Sequence, residues 1–588
     1  MEQAQTAMNG VAQELARQYP DSNAANGVRI VALHENLVGN LRDSLLILPG
    51  VVSFVLLIAC ANIASLLLVR SASRQKEMAI RASLGASRSR IMRQLMTESA
   101  LLCLLGGSAA LLLASWFLDL LIQLWPSSGG PYGFALSRLK ATGVDHRVLI
   151  FTLAVSLSTG MICGLAPAWQ AGRLALSESL KDGGRGLTES LFGRRFRHAL
   201  VVVEIALAVV LLIGAGLLIN SMWRLYRVAP GFDLERVVTM QITAPAFPSG
   251  PEWSRQVATF FREVASNLES VPGAQQVSII NAAPLGDETS ATRFTIENRP
   301  PASAAEVPRV PWRVIGPYYF RVMHIPLLQG RHFTEADEAD STPVVVVNQS
   351  LARLYWPSEN PVGQRIRRGG IEGFGPWYTI VGIAADVKTF GLDQPSRPEI
   401  YFAHTQFSLP QMTLVARTAG DPLTLINTFR AQIQSIDKTV PITGVRTMGQ
   451  WLSRSVAARR FNTMLLALFA GVALLLAGVG VYGVMNYTIT QRTHEIGVRL
   501  ALGAQRKDIL RLVLRQGMLL TIVGVTIGIA GALAMTHLMK GQLFEISATD
   551  PPTFVTIALL LLIIALSACW IPARRATKVD PMIALRCD

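Results

Sequence analysis

Long apolar runs are the feature that most constrains this chain. Seven stretches of about 18 or more mostly apolar residues are each long enough to cross a bilayer, and they are grouped as three, one and three along the sequence. One such run could be a buried core helix, but seven predict a polytopic α-helical membrane protein. The predicted spans are Leu45–Val69, Ala100–Trp125, Val148–Ala166, Ala199–Met222, Phe461–Tyr487, Met518–Leu538 and Phe554–Ile571.

The charge of the chain agrees with a membrane location. Only 16% of the 588 residues are charged, whereas soluble domains carry about 25%. A net charge of +15 would also suit a nucleic-acid binder, but 51% of the residues are hydrophobic, and such a binder exposes its basic groups on a polar chain. We therefore expect a lipid bilayer and no nucleic acid as partner.

Lysine and arginine indicate how the spans are oriented. Residues 70–99, 169–198, 488–517 and 572–588 together hold 23 basic and 9 acidic residues, so they account for +14 of the net charge. Basic loops stay in the cytoplasm. This predicts an N-terminus outside, a C-terminus in the cytoplasm, and an extracytoplasmic position for the long segment between the fourth and fifth spans.

The chain also contains a parallel internal repeat. Arg74–Leu102 aligns without a gap with Arg492–Leu520, and such self-similarity indicates duplicated units. The polar segments ahead of each triplet of spans are similar too, since residues 4–19 resemble Asp421–Ile436. From this we expect that the chain begins inside an extracytoplasmic domain, with an N-terminal truncation.

The repeat suggests a division into five parts. We expect a remnant of a first extracytoplasmic domain at 1–43, a first three-span unit at 44–198 with a loop at 70–99, and the first span of a second unit at 199–222. A large extracytoplasmic domain at 223–460 and a second three-span unit at 461–588, with a loop at 488–517, complete the chain.

The large segment between spans has the pattern of an α+β domain, which we expect to form two lobes. Period-2 and β-branched runs predict strands, and amphipathic periodicity predicts helices. The predicted strands are Val237–Thr243, Gln276–Ile280, Pro343–Asn348 and Tyr378–Ile383, and the predicted helices are Glu252–Leu268 and Leu423–Ile436.

Motifs of catalysis are missing from the sequence. It has no G-x-x-x-x-G-K-[ST] phosphate loop, no H-E-x-x-H pair and no G-x-S-x-G elbow. We therefore predict no enzyme activity and no catalytic, cofactor-binding or metal-binding residues. The acidic run Glu335, Asp337, Glu338 and Asp340 favours a solvated loop over a cation site.

Two acidic residues fall inside the predicted spans. An intramembrane carboxylate is a functional hypothesis by default. Asp119, however, lies near the outer end of its span, and Glu204 lies close enough to the inner end to reach Arg197 or Arg195. We favour a structural role for Glu204 and keep the functional one open.

Five stretches of the sequence, taken in order, form a recognisable set. They are KEMAIRASLGAS (Lys76–Ser87), LLQGRHFTEAD (Leu327–Asp337), VVVVNQSLARLYWPSENPVGQRI (Val344–Ile366), HEIGVRLALGAQ (His494–Gln505) and DPMIALR (Asp580–Arg586). Together they resemble the permeases of the MacB and FtsX family of ABC systems. Within that family the chain is similar to the duplicated, acidobacterial type, in which two units are fused.

The resemblance implies that the repeated basic block contacts a separate ATPase. In both copies a glutamate and an arginine four residues apart can share one helix face, and a Leu-Gly-Ala segment follows where the chain can turn. A plain positive-inside anchor is the alternative. The predicted coupling residues are Glu77, Arg81, Gly85, Ala86 and Arg88 in the first copy, and Glu495, Arg499, Gly503, Ala504 and Arg506 in the second.

The resemblance further implies a permease of the bacterial inner membrane that works by mechanotransmission. A cytoplasmic ABC ATPase dimer would move the coupling blocks, and the spans would pass that motion to the extracytoplasmic domains to export a substrate, with a periplasmic adaptor and an outer-membrane duct as further partners. The alternative is a non-transporting regulator that controls a cell-wall hydrolase or senses peptides.

Overall fold

The chain folds into two compact units, which comprise residues 1–37 with 225–458, and 38–224 with 459–588. A computed structural model describes residues 1–19, 27–33, 35, 42–73, 88–124, 146–172, 191–250, 252–286, 290–299, 307–369, 373–492, 495–496, 498–499, 502 and 505–577. We call residues 1–37 with 225–458 the outer unit, and residues 38–224 with 459–588 the membrane unit.

Long apolar helices build the membrane unit. In chain order, after helix α1 (Glu2–Gln18) of the outer unit, come α2 (Arg42–Ser73), α3 (Arg88–Leu124), α4 (His146–Gly172) and α5 (Leu191–Tyr226). The last three helices of the membrane unit, α11 (Ala457–Gln491), α12 (Arg506–Met535) and α13 (Pro551–Ala576), follow the outer unit along the chain.

Six of these helices are long and apolar enough to cross a membrane, so the polytopic helical fold is confirmed with a small correction to the span count. The six spans are Leu48–Leu68, Met96–Trp116, Arg195–Tyr226, Ala457–Gln491, Arg506–Met535 and Pro551–Arg575. The remaining predicted span falls on α4, a 27-residue helix whose described apolar stretch, Val148–Met161, is shorter than a full span.

Helix α5 lies at the centre of the membrane unit. Ile205, Val209 and Ile213 on this helix are buried in a cluster with residues of α2, α11, α12 and α13. A helix that is apolar on all sides is expected to be surrounded by others, whereas α3 presents exposed leucines along its length, as a lipid-facing helix would.

The described residues of the outer unit form eleven strands and several short helices. The strands are β1 (Val237–Thr243), β2 (Ala274–Ile280), β3 (Ala291–Ile296), β4 (Arg309–Ile315), β5 (Leu327–Gly330), β6 (Val344–Asn348), β7 (Arg365–Arg368), β8 (Phe374–Ala384), β9 (Ile400–Ala403), β10 (Gln411–Thr418) and β11 (Ile442–Thr447). The helices are α6 (Trp253–Glu269), α7 (Tyr319–Val322), α8 (Gln349–Tyr355), α9 (Ile426–Ile436) and α10 (Met448–Ser455).

One sheet runs through the outer unit in the order β11-β1-β10-β2-β4-β3-β7-β8-β6-β9, with β5 paired to β8. It narrows between β2 and β4, which are joined by the single pair Ile280–Ile315. The expected two lobes are thus parts of one continuous sheet. Helix α6 packs its buried residues, among them Phe261 and Val264, into the main core of this unit.

Candidate functional site

The second copy of the repeated basic block shows the expected ion pair. A guanidinium nitrogen of Arg499 lies 2.7 Å from a carboxylate oxygen of Glu495, and Arg492 approaches the same carboxylate at 3.8 Å. Both side chains of the closer pair are about half exposed. The spacing of four residues therefore places the two charges on one accessible face, as the sequence predicts.

An apolar anchor holds this segment against the membrane helices. Ile496 is buried against Ile509 at the start of α12, with Ile489 near the end of α11 packed beside them. The backbone N–H of Gln505 donates to the carboxylate of Asp508 at 3.1 Å, which caps the N-terminus of α12. The segment that carries the ion pair is therefore packed against α11 and α12.

Between the ion pair and α12, Leu502 is 82% exposed. An exposed apolar side chain next to charged groups suits a protein contact, in which the leucine would be buried and the charges would lie at the rim. The sequence predicts a turn at Leu502 but does not predict that its side chain is exposed. Arg506, also exposed, follows as the first residue of α12.

Several predicted coupling residues lie outside the described residues. These are Glu77, Arg81, Gly85 and Ala86 in the first copy and Gly503 and Ala504 in the second. Arg88 is the first residue of α3, but the position of its side chain is not among those described. The first copy of the block therefore stays a prediction.

Glu204 has a different partner from the one expected. It is 2% exposed on α5 and accepts a hydrogen bond of 2.5 Å from Nδ2 of Asn62 on α2. The guanidinium of Arg197 lies instead over the ring of Tyr487, at 4.5 Å from the ring centre. Two helical turns, about 10 Å of rise, separate Arg197 from Glu204, so the arginine reaches the neighbouring aromatic ring more easily. Asp119 on α3 is exposed.

The acidic run of the outer unit is only partly a solvated loop. Asp337 is buried and accepts hydrogen bonds from Arg331 at 2.7 and 2.8 Å and from the backbone N–H of Thr334 at 2.8 Å. Burial opposes ionisation of the Asp337 carboxyl, but these hydrogen bonds outweigh it and lower its pKa. The other acids of the run, Glu335, Glu338 and Asp340, are exposed and face Arg262 or Arg255.

Two buried polar features of the outer unit have no signal in the sequence. Arg313 and Glu399 form an ion pair of 2.9 Å with both side chains almost fully buried, and the hydroxyl of Tyr401 donates to Glu399 at 2.8 Å. The imidazole of His404 is buried without a hydrogen-bond partner on either nitrogen. Within the described ranges no group of three or more His, Cys, Asp or Glu side chains is placed to hold a metal ion.

Comparison with known proteins identifies the domains. A family model described as FtsX-like permease C-terminal matches residues 50–176 and again residues 467–581. A second model, described as MacB-like periplasmic core domain, matches residues 199–437. The double match of the first model agrees with the internal repeat.

Individual relatives cover parts of the chain. The pyoverdine export ATP-binding/permease protein PvdT of Pseudomonas putida is 30% identical over 281 residues, which are 46% of this chain and 41% of that protein. The macrolide export ATP-binding/permease protein MacB of Wolinella succinogenes is 24% identical over 428 residues, 70% of this chain and 61% of that protein. The chain thus spans less than two thirds of the length of either relative.

Among solved structures, the periplasmic region of MacB from Actinobacillus actinomycetemcomitans aligns with 39% of this chain and 95% of that chain, at 17% identity and a TM-score of 0.26.

Fold and site together define a polytopic helical protein of the bacterial inner membrane that carries a large extracytoplasmic α+β domain. Its two FtsX-like domains and its MacB-like core domain allow a narrower statement: the chain belongs to the MacB and FtsX family of ABC transporter permeases.

Proposed function

We propose that this chain is the permease subunit of an ABC exporter and couples ATP hydrolysis in a separate cytoplasmic ATPase dimer to movements of its extracytoplasmic domain. The observation that carries the proposal is the second coupling segment, where Glu495 and Arg499 form an exposed pair and Leu502 is exposed beside them. A docking partner would bury the leucine and bind the charges at the rim, which is the usual anatomy of a protein interface.

Anchoring of the segment supports a mechanical role. Ile496 ties it to Ile509 on α12 and to Ile489 on α11. A push on the charged face would therefore move two spans together rather than bend a loop, because packed helices transmit strain. The basic loops would lie in the cytoplasm, with the N-terminus outside and the C-terminus inside.

The relatives are named for export of pyoverdine and of macrolides. For this chain we propose export or efflux of a periplasmic or membrane-associated substrate, with a periplasmic adaptor and an outer-membrane duct as further partners. ATP would be bound and hydrolysed by the partner subunit.

ATPase stimulation tests the coupling assignment. The purified permease in lipid should raise the ATP turnover of an ABC ATPase subunit of this family. Four substitutions, Glu77→Arg, Arg81→Glu, Glu495→Arg and Arg499→Glu, exchange the charges within each pair. They keep opposite charges four residues apart in each copy but present them in reversed order to the partner, so we expect stimulation to be lost.

A matched control exchanges the charges of an exposed pair in the outer unit, Arg262→Glu with Glu338→Arg, whose atoms are 3.5 Å apart. It should leave stimulation unchanged. Undiminished stimulation by the fourfold variant would contradict the coupling role of these residues.

A further inference from the structure

Asn62 and Gly480 occupy equivalent positions in the two copies of the repeat. The register that aligns Arg74 with Arg492 continues backwards without a gap through α2 and α11, and it aligns these two residues with each other. The two helices lie close together at this level, because Leu66 on α2 is 3.9 Å from the position that a Cβ on Gly483 would take.

One amide group connects three helices at this point. Nδ2 of Asn62 donates to Glu204 on α5 at 2.5 Å and to the backbone carbonyl of Leu476 on α11 at 3.0 Å. Asn62 is 6% exposed and Glu204 2% exposed. Because a bilayer offers no water to replace lost partners, polar groups at this depth favour the arrangement that pairs them.

Gly480 supplies the space for this contact. A Cβ at position 480 would overlap the carboxylate of Glu204 and would lie 2.6 Å from Oδ1 of Asn62. The first copy of the repeat therefore provides the amide group of Asn62, and the second copy provides the space at Gly480. Two copies with asparagine would crowd the carboxylate, and two copies with glycine would leave it without this donor.

We propose that Asn62, Glu204 and Gly480 form an intramembrane latch that specifies the pairing of unlike repeats, with α2 of the first copy held against α5 and α11 of the second. A single buried polar residue is an established means of fixing partner and register between helices. The latch is independent of the proposed ATPase coupling, since none of its three residues belongs to either coupling segment.

Cross-linking in the full chain tests the latch. With the five native cysteines replaced by serine or alanine, Leu66→Cys and Gly483→Cys should be joined by a short dithiol-reactive reagent in membranes. Asn62→Leu and Glu204→Leu should each lower the yield by at least about threefold, the factor expected for one interhelical hydrogen bond. Glu204→Gln should keep most of the yield, because its amide oxygen can still accept from Asn62.

Two controls separate loss of the latch from loss of folding. Thr521→Val changes another buried polar residue, but its hydroxyl bonds within its own helix to Gly517 at 2.9 Å, so the yield should not change. A second cysteine pair, Gly214→Cys on α5 and Leu466→Cys on α11, should cross-link in every variant. The Cβ position of Gly214 lies 3.5 Å from the side chain of Leu466. Equal yields in Asn62→Leu, Glu204→Leu and Thr521→Val would overturn the latch, as would a loss in Glu204→Gln as large as in Glu204→Leu.

Discussion

At the scale of single residues, Arg313–Glu399 is the most deeply buried ion pair in the described part of the outer unit. Tyr401 and Thr389 also bond the carboxylate, at 2.8 and 3.4 Å. A buried ion pair need not add much stability over an apolar pair, but removal of one partner leaves an uncompensated charge. Removal of one partner should therefore destabilise the outer unit more than replacement of the whole pair by apolar residues.

We expect Arg313→Met to destabilise the outer unit by about 3–5 kcal/mol, because Glu399 remains buried without its cation. The double variant Arg313→Met with Glu399→Leu should recover most of this loss. Tryptophan fluorescence during chemical unfolding of the full chain measures both. Arg255→Ala is the matched control, since Arg255 pairs with Glu252 and Asp340 on the surface, where such pairs contribute little to stability. A similar loss in both single variants would contradict this account.

His404 makes the stability of the outer unit dependent on pH. Burial, and then the positive charge of Arg262, lowers the pKa of its imidazole from 6.5 to about 4. The unfolded chain therefore binds a proton at a higher pH than the folded one. The neutral imidazole therefore contributes to the stability of the folded outer unit, fully so above pH 6.5. That stability is lost as the pH falls from 6.5 towards 4, by about 3 kcal/mol over the window.

His404→Leu should flatten the pH dependence of the unfolding temperature between pH 7 and 4.5. His537→Asn, which changes an exposed histidine, should leave the slope of the wild-type chain in place. The hypothesis fails if the His404 variant loses stability on acidification as steeply as the wild type.

At the scale of elements, two glycines on α12 allow this helix to pack closely against α5. A Cβ on Gly528 would lie 2.5 Å from Cβ of Val209 and 2.8 Å from the carbonyl oxygen of Ala206, and one on Gly524 would lie 2.8 Å from Cβ of Ile205. The spacing of four residues puts both glycines on one face, as in other small-residue helix contacts.

Gly528→Ala should therefore lower the free energy of unfolding by about 1–3 kcal/mol, the usual effect of overpacking, and reduce the unfolding temperature in detergent. Gly471→Ala on α11 places a methyl group where nothing lies within 4 Å. It should be neutral or slightly stabilising, because alanine favours helix more than glycine does. The same decrease in both variants would show that helix contact is not the cause.

Regular elements are what the sequence predicts best. Strand β1 has the predicted ends, and α6 begins and ends within one residue of its prediction, since strong alternation or amphipathic periodicity decides both locally. The partner of Glu204 could not be predicted in the same way. Asn62 is 142 residues away along the chain, so only the packing of α2 against α5 brings the two together. Burial of Asp337 likewise depends on an arginine that periodicity does not reveal.

At the scale of the whole molecule, two strongly exposed leucines provide a test of topology. Leu354 on α8 of the outer unit is 60% exposed and Leu502 in the coupling segment is 82% exposed. In a chain without native cysteines, Leu354→Cys should react with a membrane-impermeant maleimide in intact spheroplasts, and Leu502→Cys should react only in inverted vesicles. Labelling of both from the same side would refute the proposed orientation.

Asn62 and Gly480 also show what a shared polypeptide allows. In an assembly of two identical chains, every mutation at such a position appears on both sides at once, so an asparagine gained by one side would also fill the gap on the other. Duplication followed by fusion into one gene removes this restriction. Each half can then be selected separately, and a contact that needs a donor on one side and a void on the other becomes accessible by single mutations.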